Sequence, residues 1–348
     1  MASDTAPIRP EEQFDTERVA AYLRESLPET VEDAPIAFEQ FPGGKANLTY
    51  LARGGATELV LRRPPLGPVA PGSHDMRREY AVLSVLHRVF APAPRALALC
   101  EDESVMGKAF FVMERRRGRV IRESWPDDLP GDDAFRRRVA EGVVDTLAAL
   151  HGVDYRALGL DGLGRPDGFL ERQVAGWVDR WHRAADREIP AMEEAAQRFA
   201  ASVPAPQAAV LLHNDFKLDN LMIAGDGSVA GVLDWDMATL GDPLVDLGTA
   251  LAYWAEPGDA IHDLPGVAGV TLSRQMSREE LVERYAASAG FDVSGIDYYH
   301  GFARFRIAVI VQQIYIRFVR GQTSDARFAA LAPLVPMLAE EARALAPA

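Results

Sequence analysis

The run His213-Asn-Asp215-Phe-Lys217-Leu-Asp-Asn220 has the residue types and the spacing that phosphoryl transfer needs. That chemistry asks for little covalent help from a protein. It needs a hydroxyl aligned with a terminal phosphate, and metal ions and cationic side chains to cancel negative charge. Asp215 can accept the proton of an attacking hydroxyl, Asn220 can offer its carbonyl oxygen to Mg²⁺, and Lys217 can touch the transferring phosphate. The pattern His-x-Asp-x-x-x-x-Asn is that of a phosphoryl-transfer loop. Asp234 opens the turn Asp234-Trp-Asp236 after an apolar strand and adds a carboxylate for a cation that prefers oxygen ligands, with Asp236 in support. Each piece also has a plainer reading, as a polar turn or an Asx-type strand ending. Their joint placement around two apolar strands favours the catalytic one. His213 reads as a residue that orients the loop, and Asp246 as its brace from the following helix.

A site of this kind also needs a turn over the phosphates, a cation on a strand and a carboxylate on the next helix to hold that cation. Gly43-Gly44-Lys-Ala-Asn47 offers the turn, although its letters fit an ordinary hairpin nearly as well. The chain has only three lysines, Lys45, Lys108 and Lys217, and none of them lies on the required strand. Arg62 in Leu59-Val-Leu-Arg62 takes that place, since a guanidinium stays charged and grips phosphate oxygens in pairs. Glu79 is its expected partner, against the plainer reading of both as surface charge. Glu114 and Arg115, in a hinge near 114–118, would meet a nucleotide base through backbone atoms.

The elements that must position these residues follow from periodicity and punctuation. A leading helix is expected over 15–27, where Val19, Tyr22, Leu23 and Leu27 share a face. Strands at Ile36 to Phe41, Leu48 to Ala52 and Glu58 to Arg62, parted by Gly43-Gly44 and Gly54-Gly55, read as an antiparallel meander. A helix through Met76, Tyr80, Leu83 and Leu86 follows, then strands near 95–100 and 109–114. Past Gly118 the pattern becomes helical, at 133–152, 168–186, 190–202, 242–255, 278–289, 296–320 and 325–345. Two short strands, Leu221 to Ile223 and Val229 to Leu233, interrupt it. Ser277 and Glu280 form a capping-box pattern ahead of the helix at 278. The fold class expected is α+β, with an N-terminal helical extension over 1–30, a small β-rich lobe over 31–117 and a large, mainly helical lobe over 118–348.

Composition narrows the setting. The 348 residues carry a formal net charge of -14, which argues against a nucleic-acid partner. The single cysteine, Cys100, cannot close an internal disulfide and suggests a reducing, cytoplasmic setting. The N-terminal residues lack an apolar segment of signal-peptide type, and no apolar run is long enough to span a bilayer, so neither export nor membrane insertion is expected. Arg115-Arg116-Arg117, Arg119, Arg304, Arg306, Arg317 and Arg320 read most simply as solvated faces. The apolar stripe Phe302, Phe305, Ile307, Ile310, Ile314 and Phe318 reads as core.

From about Phe41 onward, the chain resembles the aminoglycoside phosphotransferase and choline kinase-like superfamily. Within it, the chain resembles in particular the kinase-like domain that some proteins carry ahead of an acyl-CoA dehydrogenase. The likeness lies in Leu59-Val-Leu-Arg-Arg-Pro-Pro65, His74-Asp-Met-Arg-Arg-Glu-Tyr80, Leu150-His-Gly-Val-Asp-Tyr155, Gly168-Phe-Leu-Glu-Arg-Gln173, the 213–220 loop and Asp234 through Pro243. It implies a bilobal protein-kinase-like fold, Mg²⁺ with ATP or GTP as co-substrate, Asp215 as base, and Asn220 and Asp234 as metal ligands. It also implies a small-molecule acceptor hydroxyl. A hydroxyacyl thioester of coenzyme A is favoured, its phosphates met by arginines of the 296–320 helix. An aminoglycoside is the alternative and would need a cleft lined with carboxylates. A nucleotide-binding relative without catalysis is the third reading, raised by Arg62 and by Asn214, where the family usually has glycine.

Overall fold

The computed structural model describes residues 4–31, 34–42, 47–67, 74–262, 270–323 and 326–347. They form two compact units, Met1–Arg117 with Ala230–Ala238, and Gly118–Val229 with Thr239–Ala348. The nine residues around Asp234 therefore pack with the first unit, although the sequence division at 117/118 leaves them in the second.

In the first unit, α1 (Thr16–Ser26) is started by Asp15, whose carboxylate accepts the Arg18 N–H at 3.0 Å. Strands β1 (Ala37–Gln40), β2 (Leu48–Gly54) and β3 (Thr57–Arg63) form the expected meander. After α2 (Met76–Leu86), β4 (Ala96–Cys100) and a single turn, α3 (Glu103–Met106), strand β5 (Phe110–Glu114) inserts beside β3. The resulting five-stranded antiparallel sheet has the order β1-β2-β3-β5-β4.

Alternation along the pleat decides where charge can go. Leu59, Leu61, Tyr50, Phe110 and Val112 share one buried cluster with Val19 and Leu23 of α1. Arg63 belongs to that face of β3 and is 1% exposed. It is held by the Tyr50 hydroxyl at 2.7 Å and the Met106 carbonyl at 2.5 Å, and lies over the Phe14 and Tyr50 rings. Its neighbour Arg62 must then project from the opposite face, where Glu79 of α2 meets it.

The second unit holds β6 (Arg119–Val120), α4 (Asp133–His151), α5 (Phe169–Ala184), α6 (Pro190–Ala201), β7 (Val210–Leu212) and β8 (Leu221–Ile223). Strand β9 (Val229–Val232) carries the chain from the second unit into the first. Strand β10 (Thr239–Gly241), α7 (Leu244–Tyr253), α8 (Arg278–Ala289), α9 (Ile296–Val319) and α10 (Leu334–Leu345) complete it. Strand β7 pairs antiparallel with β10, which fixes the entrance to the 213–220 loop. The Ser277 capping box is formed, with bonds of 3.2 and 2.8 Å.

Helix α9 packs against α5, α7 and α10 and is buried on all sides through most of its length. Gly248 of α7 makes part of this possible: a Cβ there would sit 2.5 Å from the Tyr299 backbone carbon of α9. Phe302, Phe305 and Ile307 are core, as their spacing predicts. The helix expected over 325–345 instead divides into a 3-10 segment, Ala326–Leu331, and α10, with Pro333 between them. Proline supplies no N–H and crowds the preceding turn, so it serves as the boundary. No helix among the described residues is long and apolar enough to cross a membrane.

Candidate active site

The site residues fall into two groups, one in each unit. In the first unit Arg62 is the hub. Its Nε lies 2.9 Å from Glu79 Oε2, and its Nη2 meets the Asp234 carboxylate. Glu79 is 1% exposed and accepts the Trp235 N–H at 3.3 Å, so one carboxylate steadies both the strand cation and the turn that carries Asp234. Burial pushes the Glu79 carboxyl up to about 7; Arg62 opposes the shift while Asp234 and Asp236 add to it. Burial works against the Arg62 charge, yet Glu79, Asp234 and Asp236 together hold its pKa above the ordinary arginine range.

Asp234 has φ +68, a left-handed backbone that aspartate tolerates better than most side chains. A 3-10 turn, Trp235–Met237, follows it. The indole of Trp235 is fully buried, donates to the Val232 carbonyl at 2.8 Å and packs edge-on against Phe90. Asp236 accepts from Asn47 at 3.4 Å and lies 3.6 Å from His74 Nδ1, which in turn sits 2.9 Å from the Asn47 carbonyl oxygen. Burial and the neighbouring Asp234 charge raise the Asp236 pKa. Asn47 is thus placed by Asp236 and His74. Gly43 and Gly44 lie outside the described residues.

The expected hinge residues are engaged. Glu114 uses its backbone N–H on the Arg95 carbonyl at 2.9 Å and its carboxylate on the Arg95 N–H at 2.9 Å. The Arg115 side chain is 9% exposed, held between Asp4 at 2.7 Å and Glu58 at 2.8 Å, so it is no solvated surface charge.

In the second unit the 213–220 loop is clamped from behind. Asp246 of α7 is fully buried and accepts the His213 N–H at 2.6 Å and the Asn214 N–H at 2.7 Å, one on each carboxylate oxygen. His151 of α4 approaches the same carboxylate at 3.4 Å, and its other ring nitrogen lies 2.6 Å from the Tyr285 hydroxyl. Asn214 has φ +69, the conformation that glycine adopts most readily, and asparagine supports it without giving up its N–H bond to Asp246. The His213 ring accepts the Asp215 N–H at 3.3 Å, an orienting role within the loop.

At the business end, Asn220 Nδ2 donates to Asp215 Oδ2 at 2.8 Å and to its backbone carbonyl at 2.9 Å, and Lys217 Nζ lies 3.1 Å from the same Oδ2. Both contacts fall on one oxygen, which leaves Oδ1 for a proton from an acceptor. Asn220 spends its amide hydrogens inward, so its Oδ1 is the atom available to a hard cation. Lys217 also faces the Tyr253 ring at 5.1 Å. Burial works against its charge, but Asp215, Tyr253 and Asp219 hold its pKa above the usual lysine range. Beside it a cavity of about 70 Å³ is lined by Phe216, Leu218, Tyr253, Trp254 and other mainly apolar side chains, with no carboxylate among them.

Two arginines expected at a solvated face are interior. Arg304, 1% exposed, pairs with Asp259 at 2.9 Å and Glu341 at 3.1 Å, and Arg306 is 8% exposed beside the loop. The legible signal was their placement in a helix apolar on every side, which leaves no solvated face to carry them. His151, Tyr253, Tyr285 and Arg306 complete the surroundings of the loop, and no motif spacing singles them out.

Residues 37–299 match the model of the phosphotransferase enzyme family. Acyl-CoA dehydrogenase family member 11 of Gallus gallus is 32% identical over 97% of this chain, and family member 10 of Mus musculus is 32% identical over 97%. The chain spans only 44% and 32% of those two proteins, less than half of each. A crystal structure of a candidate aminoglycoside phosphotransferase from Ralstonia eutropha is 32% identical, with a TM-score of 0.80 over 96% of this chain and 98% of that one. Macrolide 2'-phosphotransferase from Brachybacterium faecium, at 20% identity and a TM-score of 0.59 over 90% of this chain and 97% of that one, shares the fold. The chain belongs to the phosphotransferase enzyme family and has an α+β, kinase-like fold.

Proposed function

We propose that the chain transfers the γ-phosphoryl group of ATP or GTP to a hydroxyl of a small molecule, with Mg²⁺. The observation that carries this reading is Asp215, fixed through one carboxylate oxygen by Asn220 and Lys217 and presenting the other. The acceptor hydroxyl gives its proton to Asp215 Oδ1 as its oxygen bonds to the γ-phosphorus, and the bond from that phosphorus to the β-phosphate oxygen breaks. Lys217 offsets charge on the transferring group. Arg62, steadied by Glu79, grips the nucleotide phosphates. Asn220 and Asp234 would each offer an oxygen to Mg²⁺, and the ion would supply neutralisation of phosphate charge. The surplus of carboxylates around Arg62 and the inward-turned Asn220 amide both suit a hard cation.

A hydroxyacyl thioester of coenzyme A is the acceptor we favour, on the likeness to proteins named as acyl-CoA dehydrogenase family members. Arg304 does not serve its phosphates, being spent on Asp259 and Glu341. An aminoglycoside acceptor would call for carboxylates, and the cavity beside Lys217 has none among its described lining residues. The test is nucleotide consumption with Mg²⁺ over a panel of hydroxyacyl-CoAs, aminoglycosides and amino alcohols. Transfer to one class, reduced about 10²–10⁴-fold in Asp215→Asn, is expected. No phosphorylated product from any class, or unchanged turnover in that variant, would overturn the reading.

A further inference from the structure

Arg304 and Arg306 lie two residues apart on α9 and are both at least nine-tenths buried, yet they are treated differently. Arg304 has two carboxylates within 3.1 Å. Arg306 has none: its described polar contacts are the Thr249 hydroxyl at 3.4 Å and the Asn214 carbonyl at 3.5 Å, both long. Its guanidinium also stands over the Trp177 ring at 5.3 Å. Arg180 contacts the same ring at 4.5 Å and forms no ion pair among the described residues. One indole thus carries two guanidiniums, neither matched by a carboxylate in contact.

Taking a cation out of water without a partner costs several kcal/mol, and a second cation nearby adds to that cost. Burial and Arg180 push the Arg306 pKa down, while Tyr253, Asp215 and Asp246 pull it the other way from outside ion-pair distance. The long bond to Asn214 puts the unmatched guanidinium beside the backbone that delivers Asp215, on the next residue. A fork of N–H donors at that place suits a carboxylate or phosphate oxygen, which it can hold in bidentate fashion.

We infer that Arg306, assisted by Arg180 on Trp177, is the acceptor-anchoring residue and that the acceptor bears an anionic oxygen group, carboxylate or phosphate, near its reacting hydroxyl. This rests on the proposed phosphotransferase reading and narrows its acceptor: a thioester has no anionic oxygen beside its acyl hydroxyl, so Arg306 favours a free hydroxy acid or a hydroxy phosphate over the coenzyme A thioester that the family likeness suggests. It makes the acceptor an anion and sets the chain against polycationic acceptors.

Ligand-observed NMR on the full chain tests this without turnover. The probes are γ-hydroxybutyrate, its uncharged diol counterpart, its amino-alcohol counterpart, and glycerol phosphate. One of the two anions is expected to bind about tenfold or more tighter than the diol, with the amino alcohol weakest. The tighter of the two identifies carboxylate or phosphate. Arg306→Met is expected to erase the preference and Arg180→Met to reduce it, with affinity for the nucleotide analogue AMP-PNP unchanged in both. Where Arg306→Met does not fold, Arg306→Lys, which keeps the charge and loses the fork, is expected to weaken anion binding. No anion preference in the wild type overturns the inference. So does a preference that survives in the Arg306 variants, or one whose loss is matched by loss of AMP-PNP binding. Failure of the phosphotransferase reading is seen separately, as anion binding without transfer from nucleotide.

Discussion

Around Arg62, three carboxylates, Glu79, Asp234 and Asp236, gather on one guanidinium and the edge of His74. Around Asp215, the loop is held by backbone N–H groups on Asp246 and by amide and ammonium donors on a single oxygen. Among the described residues the first group gathers more carboxylates than cations, and burial has already pushed one of its members, Glu79, up to about 7. The second is braced by bonds between its own residues. The contrast teaches that one half holds a surplus of carboxylates suited to a cationic ligand, while the backbone of the other's loop is braced before any ligand arrives. Substitutions should therefore act differently in the two.

The largest stability effect is expected from Arg62→Met, which leaves Glu79 buried beside Asp234 and Asp236 without its main cation. The loss should be about 3 kcal/mol at pH 8 in chemical denaturation. It should shrink toward pH 5, because a Glu79 that is protonated in the folded state no longer needs a partner. A loss that does not vary with pH would break the picture of a charge-burdened first group. Asp246→Asn comes next. One of its two acceptor oxygens becomes a donor facing a backbone N–H, at about 2 kcal/mol, with turnover falling as the loop loosens. A variant as stable as the wild type would mean the clamp is not what holds the loop. Tyr285→Phe, at about 1 kcal/mol, should be the smallest, since only the hydroxyl against His151 is lost. A small fall in kcat with unchanged KM would place it as support for the clamp, whereas a changed KM would place it in acceptor binding.

Much of this was legible in the residues, and the rest was hidden for physical reasons. The loop from His213 to Asn220 and its brace Asp246 could be read because the chemistry fixes their types and spacing. The Arg62–Glu79 pair could be read because the chain has no lysine to put on β3, and pleat alternation then sends Arg62 toward α2. The interior arginines were misread because a local run of charge looks the same whether its helix is solvated or enclosed. The apolar residues on every side of the helix were the signal that outweighs it, and the packing of α9 against α5, α6, α7 and α10 encloses both arginines. The split near Pro333 was a readable signal overridden by apolar periodicity. Strands β7 and β10 are three residues each, too short to show a period, although their pairing sets the entrance to the loop. The roles of His151 and Tyr285 depend on contacts 95 and 134 residues away along the chain, which spacing cannot reveal.

The comparison of the two groups stands or falls most directly on thermal melting with and without Mg²⁺ and AMP-PNP in the wild type, Asp215→Asn and Asp234→Asn. Ligand at about 100 times its Kd should stabilise the wild type and Asp215→Asn alike, by roughly 2.7 kcal/mol, and should leave Asp234→Asn nearly unmoved. An equal shift in Asp234→Asn, or none in the wild type, would contradict the account.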